Sequence, residues 1–513
     1  MRFLRTIPAL IAAIGLPALA QGAPKQLSLQ EAIATALQNN LQVQIARTSQ
    51  EQGAYGVMGS LGAYDWRLSS SFGLSKNITD QRVREGNDNT LGHVLTTSNG
   101  NTVGRNLTVG LDKSFEWGGS FNASYAPNYS NTSTSLLIQP LETQAQAISR
   151  ASNTAYPYSG GLSVSYTQSL LKNFGRDVAG ADLIISRKNA EIADFTFQGK
   201  LIDVVSTIES QYWDVINAER TLTNKQKSLE LAQKQLRENK IRVEVGNMAP
   251  IEITSAEAAV ALREQEIIQA VAQLANAKDT LTRSLYPDQE RPSDLKLIDE
   301  PTLSRMKLSE EDAQKMALDR RVELKIAQTN LSIANTQIRV AEQNRLPQLD
   351  VKVGMTADAN AQRVLNDINK DLAKRSNPGY SLGLTFAMPI QNRAAEATLA
   401  TRRAVRRSSE LGLKDQQLAI TLEVRTALRS VEAAEQGVKA AEKSRIFKER
   451  DFDAEQKKFE NGMSTNFVVL SKQNELDSAR ANELQAQIAY AKSVTAFERA
   501  IGNLLEARKL AVK

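Results

Sequence analysis

The feature that most restricts the fold of this chain is an internal repetition. Leu27-Ser28, Ala32, Ala36, Leu37, Val43, Ile45 and Ala46 return as Leu308-Ser309, Ala313, Ala317, Leu318, Leu324, Ile326 and Ala327. The offset is a constant 281 residues and carries on to Leu68/Leu349 and Gly73/Gly354. A second stretch pairs Tyr158-Ser159 and Gly161-Leu162 with Tyr380-Ser381 and Gly383-Leu384, and a third pairs Gly246 with Gly462. Three matches in the same order imply a duplicated unit that packs against its own copy. The expected repeats are 23–290 and 308–513, joined by a linker at 291–307 that holds Pro292 and Pro301.

Arg2 and Arg5 precede the apolar run Ile7 to Ala20, and Ala18-Leu19-Ala20 has the small-x-small form of a signal-peptidase site. Residues 1–22 are therefore read as a cleaved export signal. Its loss leaves 61 basic against 57 acidic residues, spread along the chain, which gives no basis for a nucleic-acid partner. There is no cysteine, hence no disulfide, no thiolate metal site and no acylated N-terminal cysteine. No later segment has the roughly eighteen apolar residues of a spanning helix. An exported chain of this kind is periplasmic, secreted, or a β-barrel of the outer membrane.

From about Ala179 to Val245 the sequence is helical, and Leu201, Ile208, Val215, Leu222, Leu229, Leu236 and Val243 recur every seven residues. That period marks a coiled-coil seam. The second half echoes it at Val424, Val431, Val438, Phe452 and Phe459, interrupted by Arg445. Each long helix stops at a glycine, in Val245-Gly246-Asn247 and in Asn461-Gly462-Met463, and a second helix follows. The expected hairpins are about 179–285 and 393–505. Some 65 helical residues would reach about 100 Å.

Alternating segments lie between the helices, at about 65–76 and 158–169 in the first half and 348–356 and 380–389 in the second. Segments of this kind separated by polar loops are the weak signature of a membrane β-barrel, and a soluble sheet shows the same alternation. Four strands cannot close a barrel alone, so closure requires oligomerisation. The first half also carries an additional hairpin at 105–128, turning at Trp117-Gly118-Gly119.

With the paired Leu-Ser openings, Leu346-Pro347-Gln348-Leu349 leading into a strand and Met388-Pro389-Ile390 leaving one, the chain resembles the TolC-family outer-membrane efflux proteins. The resemblance spans nearly all of the mature chain. It implies an α+β membrane protein, a homotrimeric duct with a transmembrane β-barrel of four or more strands per subunit. Twelve strands form the barrel of the best-known type, above a long periplasmic α-helical barrel of coiled-coil hairpins. Such a duct is the exit of a tripartite efflux or type I secretion system, sits in outer-membrane lipid, and works with a periplasmic adaptor and an inner-membrane transporter. The resemblance makes Val245, Gly246, Asn247, Asn461, Gly462 and Met463 the adaptor-binding tips. It places a periplasmic gate near Glu252, Phe459, Ser464, Val468 and Ser471. Where the best-known relatives carry acids after the second tip glycine, this chain has Val468 and Ser471. An arginine and a tyrosine are replaced by Ser464 and Phe459, and only Glu252 is kept in kind. The expected constriction therefore depends on apolar and uncharged groups.

No phosphate loop, dinucleotide glycine pattern or nucleophile elbow is present, so no enzyme, cofactor or metal site is expected. The single histidine, His93, lies in a Gly/Asn/Thr-rich stretch and is expected at the surface. Arg402-Arg403 and Arg406-Arg407 are either a solvated helix face or a contact with anionic headgroups. The alternative functions are a periplasmic coiled-coil adaptor, which has one hairpin rather than two, and a structural coiled coil, which needs no strands. The cargo is not encoded legibly.

Overall fold

In each Leu-Ser pair that opens an expected repeat, the serine is a helix N-cap. Ser28 accepts from the Glu31 N–H at 3.3 Å while the Glu31 carboxylate accepts from the Ser28 N–H at 2.9 Å, a reciprocal capping box. Ser309 accepts in the same way from the Asp312 N–H at 3.1 Å. The computed structural model describes residues 25–88, 92–141, 146–154, 156–246, 248–288, 295–301, 308–363, 365–374 and 378–510. The expected signal segment, parts of the expected linker, and Asn247 lie outside the described residues.

The elements run β1 (Lys25–Leu27), α1 (Leu29–Asn39), α2 (Leu41–Leu61), β2 (Arg67–Asp88), β3 (Gly92–Ser114), β4 (Gly119–Pro140), β5 (Ile148–Asn153) and β6 (Tyr158–Ser169). They continue with α3 (Arg176–Ala179), α4 (Ala181–Glu244), α5 (Ile251–Leu285), β7 (Leu295–Leu297), α6 (Glu310–Arg320), α7 (Val322–Gln343), β8 (Gln348–Ala361) and α8 (Leu365–Lys374). Last come β9 (Pro378–Ala387), α9 (Arg393–Glu460), α10 (Asn466–Ala500) and α11 (Leu504–Ala507). They form two compact units. One takes in the chain up to Ser49, Phe195–Leu324 and the chain from Gln416 on; the other is Gln50–Asp194 with Lys325–Asp415.

The first unit is helical, apart from β1 paired in parallel with β7. The expected linker thus contributes a strand. Its core joins Leu27, Leu295 and Leu297 to Ile33 of α1, Ile208 and Tyr212 of α4, and Leu281 and Leu285 of α5. Tyr212 donates to the Leu27 carbonyl at 3.0 Å and lies 2.8 Å from the Asp299 carboxylate, which also accepts from the Leu29 N–H at 2.6 Å. Burial pushes its phenol above the usual range. Burial tracks the sevenfold seam over Leu201, Ile208 and Val215, then departs from it. Lower on α4 the buried positions are Ser228, Ala232 and Asn239, and Leu229, Leu236 and Val243 are half-buried. Ser228 finds its partners on α10, in Asp477 and Gln473, while Asn239 accepts from Gln235 of its own helix. In α9 the interruption at Arg445 is satisfied by Glu483 at 2.8 Å and Glu449 at 2.9 Å.

The second unit holds one antiparallel sheet in the order β2-β3-β4-β6-β8-β9, with β5 pairing the far end of β4. It has six columns, two more than the four implied by the best-known type, because β3 and β4 lie between β2 and β6. This is the hairpin expected at 105–128, and it extends over both full strands; His93 sits on β3 rather than in a loop. The strand expected at 65–76 runs on to Asp88. Cross-strand partners share a face of the sheet. On one face stand Leu68, Phe72 and Leu74 of β2 with Leu111, Leu107, Val109 and Arg105 of β3. The same face carries Phe121, Ala123 and Tyr125 of β4 opposite Tyr166, Val164 and Leu162 of β6. It ends with Val353, Val351 and Met355 of β8 opposite Leu382, Leu384 and Tyr380 of β9. Ser, Thr, Asn and Gly dominate the other face, as at Ser69↔Gly110, Ser71↔Thr108 and Ser124↔Ser163. Most of the apolar face is open, with Leu382 80 % exposed.

Candidate functional site: the hairpin turns and their polar seam

Both helix-ending glycines have the left-handed backbone that an L side chain resists, φ +77° at Gly246 and +74° at Gly462. At the second turn the Met463 N–H reaches the Lys458 carbonyl at 2.8 Å and the Gly462 N–H reaches Phe459 at 3.1 Å. This pair is a Schellman cap. The first turn shows the matching Gly246 N–H to Val243 bond at 3.0 Å. A Cβ added at either glycine would meet nothing within 4 Å, so the turns are open to solvent. Val245 and Met463 stand exposed beside them, as do Ile241, Ile251 and Phe467 in the adjoining turns of helix. Exposed apolar groups around an open backbone turn suit contact with another protein.

The expected gate residues fall in three settings. Glu252, in the first turn of α5, accepts from Asn466 Nδ2 at 3.0 Å. Asn466 is buried and its Oδ1 accepts from Gln235 Nε2 at 3.1 Å, so α4, α5 and α10 are joined by one polar chain. Phe459 is also buried, with the Arg242 guanidinium 4.4 Å from its ring centroid and Arg242 Nη1 donating to its carbonyl at 3.2 Å. Ser464 donates to Glu455, and that bond, with Lys458 at 3.0 Å, holds the Glu455 carboxyl below the usual range. Val468 is half-buried in the first turn of α10. Ser471 lines a cavity of about 470 Å³ with Phe467, Leu470, Leu262 and Arg263. Glu252 is thus tied to α10, whereas Phe459 packs inside and Ser464, in the turn, bonds back to Glu455 of α9.

A second polar chain escaped sequence reasoning. Arg263 on α5 is buried, donates to Asn474, reaches Glu266 at 2.9 Å and lies 3.6 Å from Asp477. Asp477 accepts from Ser228 of α4, and Gln473 Nε2 donates to the Ser228 carbonyl at 3.4 Å. Burial alone would raise the Glu266 carboxyl, but hydrogen bonds from Lys225 and Arg263 outweigh it and hold it low. A buried arginine demands partners of this kind. The available signal was the weak apolar seam, with Gln226, Gln233 and Lys240 at its alternate positions.

In the sheet unit, Arg402 donates to Gln337 at 3.0 Å, Arg403 pairs with Glu342 at 3.3 Å and Arg406 with Glu410 at 2.7 Å. Those three cations already have partners. Among the described residues no cluster of metal-ligating side chains is present, and no helix is long and apolar enough to cross a membrane.

The model of the outer membrane efflux protein family matches residues 120–285 and 314–503. Among solved structures the chain is similar to the outer-membrane channel OprN, with a TM-score of 0.66 and 14 % identity over 93 % of this chain and 90 % of that one. It is similar to the outer membrane protein VceC of Vibrio cholerae, with a TM-score of 0.63 and 12 % identity over 92 % and 96 %. A third is the MtrE outer membrane channel of Neisseria gonorrhoeae, with a TM-score of 0.61 and 14 % identity over 93 % and 89 %. At such identities the likeness is one of fold. No curated protein sequence matches.

Proposed function

The chain belongs to the outer membrane efflux protein family, and from that premise we propose that three copies close their sheets into one barrel in the outer membrane. Beneath it their helical hairpins form the exit duct of a tripartite efflux or type I secretion system. The observation that carries this reading is the six-column sheet with one apolar face and two free edges, β2 and β9. Lipid cannot satisfy the backbone groups of an open edge, so the sheet must close. Its strongly apolar face meets lipid and its Ser/Thr/Asn/Gly face meets water, the alternation of a membrane barrel. A head-to-tail ring in which β9 of one copy pairs with β2 of the next leaves no edge. With three copies of six columns the ring holds eighteen strands, not the twelve of the best-known type.

The reading also assigns the duplicated hairpins to the periplasm, with Val245, Gly246, Asn247, Asn461, Gly462 and Met463 as the docking tips for an adaptor. The gate lies near Glu252, Phe459, Ser464, Val468 and Ser471, where uncharged groups close the pore by dewetting. The duct passes cargo without reacting with it. A periplasmic adaptor or a structural coiled coil would leave the six-column two-faced sheet without a role.

The test is assembly. Solubilised from membranes in mild detergent, the protein is expected to run as a trimer that fractionates with the outer membrane. A stable monomer at working concentration, or recovery in the soluble periplasmic fraction, would contradict the reading.

A further inference from the structure

The apolar face of the sheet also carries basic residues: Lys76 opposite Val103, Lys113 with its Nζ 5.0 Å from the Trp66 ring centroid, and Arg105, which lines a cleft. Arg105 stands on β3 with Leu74 opposite on β2 and Tyr129 opposite on β4. Its guanidinium carbon lies 5.7 Å from the Tyr129 ring centroid, and no carboxylate pairs with it among the described residues. Around it is a cleft of about 350 Å³ walled by Phe72, Leu107, Tyr129, Tyr158 and Leu365.

One wall, Leu365, belongs to α8, an amphipathic helix laid on the same face. Ile368 and Leu372 pack on Ala357, Ala359 and Ala361 of β8, with Tyr125, Tyr158 and Leu162 around them. Gly160 makes the approach possible: a Cβ there would come within 2.6 Å of Ile368 Cγ2. The Tyr125 hydroxyl donates to Asn369 at 2.5 Å, which fixes the helix from a second side. The wall of the cleft is therefore held in place.

The depth of the cleft follows from two belts of aromatic rings. Trp66, Phe115, Trp117, Phe121 and Tyr166 cluster at one end of the sheet, with Trp66 5.6 Å from Phe121 and Trp117 Nε1 donating to Tyr166 at 3.0 Å. At the other end Tyr129 and Tyr158 lie 4.9 Å apart. On β6, Tyr158 and Tyr166 are separated by eight residues, about 27 Å along the strand and roughly 20 Å of height at a barrel tilt near 40°. Aromatic belts at that spacing flank an apolar band. The first belt adjoins the strand ends nearest the helices, so Arg105 sits at the outer interface.

We propose that this cleft binds a phosphorylated lipid of the outer leaflet, with its phosphomonoester on Arg105 and an acyl chain along Phe72, Leu107 and Leu365. A guanidinium fork matches phosphate oxygens in a bidentate manner, and an unpaired cation beside lipid attracts the most anionic head available. The proposal rests on the membrane placement of the sheet.

Native mass spectrometry of the purified trimer, titrated with lipid A, phosphatidylethanolamine or inorganic phosphate, tests it. The wild type is expected to retain lipid A in preference to phosphatidylethanolamine. Arg105→Ala should reduce lipid A retention about tenfold, the scale of one charge-assisted contact, and leave phosphatidylethanolamine retention unchanged. Gly160→Val, which displaces α8, should weaken lipid A retention with Arg105 intact. Equal lipid A retention by wild type and Arg105→Ala would overturn the proposal, as would displacement of lipid A by millimolar inorganic phosphate. Retention of neither lipid by either form would overturn the membrane placement itself.

Discussion

At Gly462 a side chain has room but the backbone resists it. The positive φ costs roughly 1–2 kcal/mol for most residues and less for Asn. Gly462→Asn keeps the cap with a small group, and Gly462→Trp adds bulk at an open turn. If the turn docks a partner backbone, Gly462→Trp should abolish transport and leave trimer and membrane insertion intact, with Gly462→Asn close to wild type. Normal transport by Gly462→Trp would leave the turn a capping role alone. The gate can be tested one position into α10. Val468→Asp places an acid in the first turn of a helix, where the helix dipole favours it, so folding should hold. In a planar bilayer that substitution should raise cation conductance or add divalent-cation block. If it changes nothing and Glu252→Gln opens the channel, the gate is electrostatic and the reading fails. Both glycines were legible in the sequence because a helix stop is a local signal. The Arg263–Asp477–Ser228 chain was not, because a polar residue that will be buried against a partner from another helix looks like a surface residue in one dimension.

At the scale of elements, the lower half of the sheet was readable and the upper half was not. Leu68, Phe72 and Leu74 alternate with Ser69, Ser71 and Gly73, but beyond Ile78 strand β2 loses that pattern and its register shifts between Thr79 and Arg82. In the upper part of the sheet the buried apolar residues include Val94 of β3 and Ile138 of β4, too few to mark a face in the sequence. Helix α8 went unseen for a different reason: Leu365, Ile368 and Leu372 keep helical spacing, but over only ten residues. The β3–β4 hairpin was visible as two alternating runs, but only pairing shows that it is inserted between β2 and β6. Since it enters and leaves at the same end of the sheet, its removal leaves β2 antiparallel to β6 with their apolar faces still aligned. Deleting residues 92–140 should therefore still give a trimer, with a barrel about two-thirds as wide, since diameter grows roughly linearly with strand number. An unchanged width, or loss of assembly, would contradict the inserted-hairpin view.

For the whole molecule, the repeated sequence pointed to paired hairpins and paired strands, and the resemblance supplied the trimer. Neither could supply the strand number. Side-chain alternation says which face of a strand meets lipid, whereas ring size depends on which edges remain free, and that is a property of the assembled sheet. Among the described residues the six-column path runs from an outer β2 to an outer β9, and β5 pairs with the far end of β4 alone. The most direct measurement is electron cryo-microscopy of the protein in lipid nanodiscs, viewed down the barrel axis. The account predicts a closed ring of eighteen strands in which β9 of each subunit pairs with β2 of the next. A ring of twelve with the β3–β4 hairpin outside the wall, or a sheet that does not close, would contradict it.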